Sequence, residues 1–397
     1  MNILVLSFYF QPDLCAGSFR ATSLVKELAD NVPAGAKIEV VTTLPNRYNT
    51  FSVDAHQTEN HPGFTVYRIA LPSHQSGMLD QSKAFMVFSR EVLRYIKSRD
   101  YDIVFATSSR LMTAVLGAWI ARKKKSKLYL DIRDIFVDTI KDVLPCYWAL
   151  VAKPVFAVLE RWALRRADKI NLVSGGFAGY FTDRYPNHNF SYFTNGIDDE
   201  FIEASSSVSS SMAKTEKPVI ALYAGNIGEG QGLHAIIPDL AKKMRGRVHF
   251  RIIGEGGRKE ALQTALAQAG VDNVELLPPV NREQLIMAYQ EADVLFLHLN
   301  DYDAFRKVLP SKLFEYAAMG KPLWAGVAGY SAEFVHSEIN NSAVFHPCDV
   351  SEAERVFDDL VLRDATRTEF INRYARGKIM KEMARDILEF GEGLLQS

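Results

Sequence analysis

The chain has 397 residues, 48% of them hydrophobic, and 46 Lys+Arg against 47 Asp+Glu give a formal net charge of −1. That length is long for one domain and comfortable for two, and each half holds enough apolar residues for a core of its own. The near-neutral balance excludes the strongly basic signature of a nucleic-acid binder.

The charge is unevenly spread. Residues 1–200 hold 24 Lys+Arg and 20 Asp+Glu, a balance of +4, and residues 201–397 carry −5. The excess on the first half fits proximity to an anionic membrane surface. Cys15, Cys146 and Cys348 are too scattered for a disulfide framework or a zinc site, which fits a reducing cytosol. The opening run Met1–Phe8 reads as a buried strand rather than a signal peptide. No apolar run approaches the roughly 18 residues needed to span a bilayer. A cytoplasmic protein is expected.

In chain order, strand and helix signals alternate. Ile3–Phe8 is an apolar run suited to a parallel strand covered on both faces. Ser18–Leu28 has helical spacing, Ile38–Thr42 and Thr65–Ile69 read as strands, and Ala84–Ile96 as a helix. Ile103–Ala106 and Lys127–Asp131 are strands around a helix at Thr113–Ala121. A long helical region, Trp148–Ala167, follows, and strands at Lys169–Val173 and Tyr192–Phe193 close the first half. A Ser-rich stretch at 201–217 ends before Pro218 and reads as a linker or loop. The pattern then restarts. Strands are predicted at Val219–Ala224, Val248–Ile253, Val274–Leu276, Val294–His298 and Leu323–Ala325. The intervening helices are Leu233–Lys243, Lys259–Ala269, Arg282–Glu291 and Lys312–Met319, and Ser351–Leu395 forms a helical tail. The pattern predicts an α/β protein with two doubly wound, Rossmann-like domains, 1–200 and 218–374, and a C-terminal helix at 375–397 packing back on the first domain. Ligands of such domains sit at the carboxyl ends of the strands, here expected in the cleft the two domains face.

Several segments at strand ends carry chemistry. In 310–322 (PSKLFEYAAMGKP), Pro310 suits a helix start, and Gly320 with Pro322 a helix stop. Lys312 and Glu315 share one face of the first turn, beside Ser311. A cation near helix amides suits a phosphate, and a carboxylate suits a ribose diol. An ordinary amphipathic surface helix has the same local spacing. The loop 225–232 (GNIGEGQG) holds four glycines between a strand and a helix, with Asn226, Gly228 and Gln231 among them, which suits phosphate binding. It lacks the Lys-Ser/Thr ending of a P-loop, so ATP hydrolysis is not indicated. The loop 254–258 (GEGGR) adds Gly254 and a fixed cation, Arg258, and Val280 follows two prolines where backbone groups could meet a base. In the first half, Gly17 and Ser18 open a helix after the first strand. Asp131-Ile132-Arg133-Asp134 ends another strand, where Asp134 could meet the reacting sugar or acceptor, or an Arg133–Asp salt bridge could shape the loop. His298 ends a strand, where such a residue is more often structural. No His/Cys cluster indicates a metal, and no G-x-S-x-G indicates covalent catalysis.

The restart at residue 219, the segment 310–322, the Gly17 loop, Arg165–Ile170, Asn195–Asp198, both glycine loops and Glu291–Val294 together resemble glycosyltransferase family 4, of the GT-B fold, over nearly the whole chain. Tyr223–Gly228 with Gln231-Gly232, and Phe305–Glu315, look most like the branch that includes bacterial transferases of N-acetylated fucosamine-type sugars. The resemblance implies retaining transfer of a hexosyl- or N-acetylhexosaminyl-type sugar from a nucleotide diphosphate sugar, without cofactor or required metal. The acceptor would be a lipid-linked glycan or polysaccharide of O-antigen, capsule or exopolysaccharide assembly. By position, Glu315 would hold the ribose, Lys312 and Arg258 would neutralise the diphosphate, and Gly17 would face the phosphates. Two positions depart from the pattern: Lys307 replaces the Glu usual eight residues before Glu315, and Gln231 replaces a Lys. A nucleotide-sugar epimerase of similar fold, or a non-catalytic nucleotide-sugar-binding subunit, are the alternatives. Trp148–Arg166 and the lysines of Lys123–Lys127 combine aromatic and basic residues as a lipid surface requires, so peripheral contact at the inner face of the membrane is a further expectation.

Overall fold

The computed structural model describes every residue except 14, 46–54, 73–77, 109, 138–145, 206–217 and 393–397, and not the side chains of 78–79, 146–151 and 392. The chain forms two compact units, one of Met1–Asn195 together with the chain from Arg376, the other of Gly196–Ala375.

The first unit is built on strands β1 (Asn2–Leu6), β2 (Lys37–Thr43), β3 (Thr58–His61), β4 (Phe64–Ile69), β5 (Ile103–Thr107), β6 (Lys127–Ile132), β7 (Lys169–Leu172) and β8 (Phe190–Ser191). They form one sheet in the order β3-β4-β2-β1-β5-β6-β7-β8, parallel except for the β3–β4 pair. The register sets Val5 of β1 between Val40 and Phe105. Ile3 to Leu6 are fully buried, as a parallel strand covered by helices on both faces requires. Strand order reverses between β1 and β5, so the loops after these strands flank the place where such sheets take ligands.

The helix Ala16–Asn31 packs against Arg376–Glu392. Asp386 fastens the latter, accepting from Tyr129 Oη at 2.8 Å and Ser191 Oγ at 3.2 Å and pairing with Lys169. Deeper in, Arg20 clamps Asp131 with bonds of 3.0 and 2.9 Å while donating to the carbonyls of Thr194 and Phe193. Both side chains are 1% exposed. Arg20 holds Asp131 ionised against the opposing effect of burial.

The second unit is built on β9 (Val219–Ala224), β10 (Val248–Ile253), β11 (Val274–Leu277), β12 (Val294–His298), β13 (Leu323–Gly326) and β14 (Ser342–Phe345). All pair in parallel, in the order β11-β10-β9-β12-β13-β14. One core, around Leu222, Leu313, Phe314 and Tyr316, covers one set of side chains; another, around Tyr223, Phe250, Phe296 and Trp324, covers the alternate set. The reversal lies between β9 and β12, so the loops after these two strands, including Gly225–Gly232, occupy the ligand position of this sheet.

Several expectations are corrected. The first strand ends at Leu6 rather than Phe8, and the last strand of the first unit is Phe190–Ser191 rather than Tyr192–Phe193. The helical tail is found and consists of three helices, Val350–Phe357, Thr368–Tyr374 and Arg376–Glu392. Asp349 caps the first by accepting from Glu352 N at 2.8 Å, and Arg367 interrupts the run, its guanidinium turned inward onto carbonyls of Ala317, Lys321 and Asn340. β3 (TENH) has no apolar alternation and forms by antiparallel pairing at the sheet edge. β14 is short and also lies at an edge. The presumed linker begins inside a helix, Asp199–Ser205, and 206–217 lie outside the described residues.

Candidate active site

In the second unit, β9 delivers the chain into Gly225–Gly232 and β10 into Gly254–Arg258. The two loops are laced by backbone bonds: Gly225 N to Ile253 O at 2.8 Å, Ile227 N to Glu255 O at 2.8 Å, and Arg258 N to Ile227 O at 2.9 Å. Gly254 and Gly256 have φ of +156° and +157°, and a Cβ on either would run into backbone of Gly225 or Ile227. The glycines of the second loop are thus needed for close backbone packing beneath the first loop. Within the first loop, Gln231 Oε1 accepts from Asn226 Nδ2 at 2.9 Å and from Gly228 N at 3.2 Å, while Tyr223 Oη donates to Asn226 O at 2.7 Å. Asn226 and Gln231 brace the loop in this arrangement.

The helix Lys312–Ala318 stands over this loop. Lys312 lies across Gly225, where an added Cβ would overlap its Cε and sit 3.1 Å from its Nζ. Lys312 Nζ is 3.8 Å from Glu315 Oε2, and Tyr289 Oη donates to the same oxygen at 3.2 Å. The Glu315 side chain is 11% exposed, enough to meet a ligand and too buried for free solvation. Arg282 adds a charge near Glu315 while pairing with Asp198; burial works against its charge, but Glu315 and Asp198 outweigh it and raise its pKa. Ser311 precedes the helix without making a side-chain cap.

Arg258 faces Glu229 of the glycine loop in an ion pair, and Tyr302 Oη donates to Glu229 Oε1 at 2.5 Å. The Tyr302 bond, followed by Arg258, holds the Glu229 carboxyl below its ordinary pKa against burial. Val280 is half-buried and packs against the core of the unit. Lys307 ends a single 3-10 turn, Phe305–Lys307, and Arg306 beside it pairs with Asp301 at 2.9 Å. His298 is fully buried: Nε2 accepts from Cys348 N at 3.0 Å, so Nδ1 carries the proton and donates to Gln231 O at 2.7 Å. Burial lowers its pKa to about 4. It is a neutral strut beneath the glycine loop.

In the first unit, Gly17 opens the helix Ala16–Asn31, and a Cβ there would lie 3.9 Å from Arg133 Nη1, an ordinary contact. Of the two readings of this segment, the Arg133–Asp salt bridge does not form with Asp131. Asp131 is taken by Arg20 and by Asn171 Nδ2 at 2.8 Å, and Arg133 Nη1 is buried without a hydrogen-bond partner. Burial lowers the Arg133 pKa. Asp134 lines a narrow pocket with Ser108, Leu111, Phe136, Glu160 and Leu164. Burial, partly offset by Arg133, pushes its pKa up to about 6, within the range of a general base at neutral pH.

Thus Asn226, Gly228, Gln231, Gly254, Arg258, Val280, Ser311, Lys312 and Glu315 all fall in the second unit, while Gly17 and Asp134 fall in the first. Lys312 and Glu315 are brought together over the loop at the strand-order reversal, and Gly254 supports that loop from below. Sequence reasoning missed Tyr289, Arg282, Glu229 and Tyr302. The signal that Glu229 offered was a carboxylate inside a glycine loop; Tyr289 offered none beyond an aromatic at a core position.

Two family models match successive parts of the chain: "Glycosyl transferase 4-like domain" over 18–196 and "Glycosyl transferases group 1" over 207–377. The chain belongs to the GT-B glycosyltransferases. WcaI of Escherichia coli (strain K12), named as a glycosyl transferase of colanic acid biosynthesis, is 25% identical over 347 residues, covering 81% of this chain and 82% of WcaI. Among solved structures, HepE of Anabaena in complex with UDP aligns at 16% identity and a TM-score of 0.63, covering 98% of this chain and 100% of HepE. The apo lipopolysaccharide outer core galactosyltransferase WaaB aligns at 14% identity and 0.61, covering 98% and 99%. These likenesses bear out the fold class, two parallel-sheet α/β domains with a helical C-terminal segment. The finer likeness to transferases of N-acetylated fucosamine-type sugars has no counterpart among these matches.

Proposed function

We propose that this GT-B glycosyltransferase moves a sugar, with retention of anomeric configuration, from a nucleotide diphosphate sugar to a lipid-linked or polysaccharide acceptor of bacterial surface polysaccharide. The observation that carries the reading is Lys312 and Glu315 set together over the Gly225–Gly232 loop. Lys312 meets the diphosphate and Glu315 accepts from the ribose. Arg258 exchanges Glu229 for a phosphate oxygen, and Val280 borders the base. HepE, solved with UDP, and the names of WcaI and WaaB support a nucleotide donor and a polysaccharide or lipopolysaccharide product.

In the reaction the bond from the anomeric carbon to the diphosphate oxygen breaks, and its electron pair leaves on that oxygen. Lys312 and Arg258 stabilise the charge that develops there without reorganising. The acceptor hydroxyl oxygen bonds to the anomeric carbon on the face the diphosphate leaves, and its proton passes to a phosphate oxygen. On the first unit, Asp134, its pKa pushed up to about 6 by burial, is assigned to acceptor binding. No metal or cofactor is assigned to these steps.

The acceptor end rests on the first unit. Trp119 (39% exposed), Val155 (54%) and Val158 (66%) lie on the packed helices Leu111–Lys124 and Cys146–Arg166, and Lys123 Nζ stands 4.9 Å from the Trp119 ring centroid. Exposed apolar side chains on these helices, with a lysine beside the indole, suit anionic lipid. Trp148, also singled out in the sequence, has its side chain outside the described residues. No helix among the described residues is long and apolar enough to cross a membrane.

The test is turnover of a panel of nucleotide sugars with and without lipid-linked glycan. Release of nucleotide diphosphate that depends on acceptor, with an axial or equatorial product bond matching the donor, supports the reading. Conversion of donor without acceptor would make the protein an epimerase, and tight binding without turnover a binding subunit.

A further inference from the structure

Glu315 does not stand alone beneath the ribose position. Tyr289, on the helix Arg282–Glu291, is fully buried, and its hydroxyl donates to Glu315 Oε2 at 3.2 Å. The ring is fixed on two sides, stacked on Phe201 with centroids 5.8 Å apart and edge-on to Tyr316 at 5.3 Å. Arg282 lies seven residues before Tyr289, two helical turns away on the same face, and it too directs charge toward Glu315. Burial, then the Glu315 charge, raise the phenol pKa well above its ordinary value, so Tyr289 remains a donor at every working pH. With Lys312 Nζ 3.8 Å from the same Oε2, the phenol's hydrogen bond and the lysine's charge gather on one oxygen. Oε1 receives no hydrogen bond from the described residues and is left to a ligand.

We infer that Tyr289 is a positioning residue. It locks the Glu315 carboxylate by Oε2, so that Oε1 is presented in one fixed orientation to the ribose diol, and it thereby sets the preference for ribonucleotides over 2′-deoxyribonucleotides. The inference rests on the nucleotide reading of the site. It has a physical reason: a carboxylate free to rotate can follow a displaced or missing hydroxyl, whereas a locked one discriminates against it. A buried acceptor prepared for a ligand hydroxyl also rejects the analogue that leaves it unpaired.

The experiment is calorimetric binding of UDP, GDP and their 2′-deoxy forms to the full-length wild type, Tyr289→Phe, Glu315→Asp and the double variant. Phenylalanine keeps the ring contacts, and an unchanged melting temperature within a few degrees verifies the fold. In Tyr289→Phe the preferred ribonucleotide should bind up to about tenfold more weakly, because the unlocked Glu315 carboxylate must then be ordered on binding. The 2′-deoxy form should lose much less, so the ratio between them falls. Glu315→Asp shortens the carboxylate out of reach of the phenol, so adding Tyr289→Phe to it should change nothing further. An unchanged ribose-to-deoxyribose ratio in Tyr289→Phe, or losses that add in the double variant, would overturn the inference while leaving the nucleotide site standing. A wild type that binds none of the four diphosphates overturns both.

Discussion

Lys312 occupies the space that a side chain on Gly225 would fill. Its Cε overlaps the Cβ position of Gly225, and its Nζ reaches Glu315 only because that position is bare. The glycine at the end of β9 therefore places the cation of the proposed diphosphate site, in addition to allowing a backbone φ of +155°.

Gly225→Ala should then act on both. The methyl displaces Lys312 and strains the turn, so binding of nucleotide diphosphate should weaken by at least about tenfold and the protein lose roughly 1–3 kcal/mol of stability. Titration calorimetry and thermal melts check this; wild-type affinity in a folded Gly225→Ala protein would detach Lys312 from the site.

Glu229 competes with phosphate for Arg258. Both partners are partly exposed, so the pair itself adds little stability. Glu229→Gln should leave the melting temperature nearly unchanged. It should also tighten diphosphate binding several-fold at low salt, with a steeper loss of affinity as salt rises. Weaker binding in this variant would mean that Glu229 orients Arg258 rather than occupying it.

Asp134 links stability to pH. Its folded pKa near 6 exceeds the ordinary 3.8, so between about pH 4 and 6 the folded state binds the extra proton. Asp134 therefore lowers stability as pH rises through that window. Asp134→Asn should flatten this slope and be more stable at pH 7 by up to a few kcal/mol. Wild-type transfer should decline as pH falls below about 6, and the variant should lose transfer without losing nucleotide binding. Melts and rates across pH 4–8 separate the two effects.

His298 has the opposite sign. Its pKa near 4 lies below the ordinary 6.5, so the unfolded chain binds the proton more readily between these values. Its contribution is complete above about pH 6.5 and is lost as pH falls toward 4. His298→Phe leaves Gln231 O and Cys348 N without their partner, and should cost about 2–4 kcal/mol at pH 7. That variant should also remove the acid-side loss attributable to His298, which melts at pH 4.5 and 7.5 compare directly.

Much of this was legible in the sequence because parallel strands covered on both faces write themselves as apolar runs. Val219–Ala224 and Val248–Ile253 are found with the bounds the sequence predicts. The pairing of Lys312 with Glu315 follows from their spacing on one helical turn. The edge strand Thr58–His61 was not legible, since it takes its conformation from its neighbour Phe64–Ile69. Nor was the link from Arg20 to Asp131, 111 residues apart, or that from Tyr289 to Glu315. Such contacts are set by how helices and strands from distant segments pack, and no local pattern encodes them.

The central claim is that the second unit binds a nucleotide diphosphate through Lys312 and Glu315. Calorimetric titration of the wild type, Lys312→Ala and Glu315→Ala with UDP and GDP tests it most directly. The account predicts saturable binding of one diphosphate by the wild type, weakened at least about tenfold in each variant with the fold intact. Wild-type affinity in both variants would contradict it.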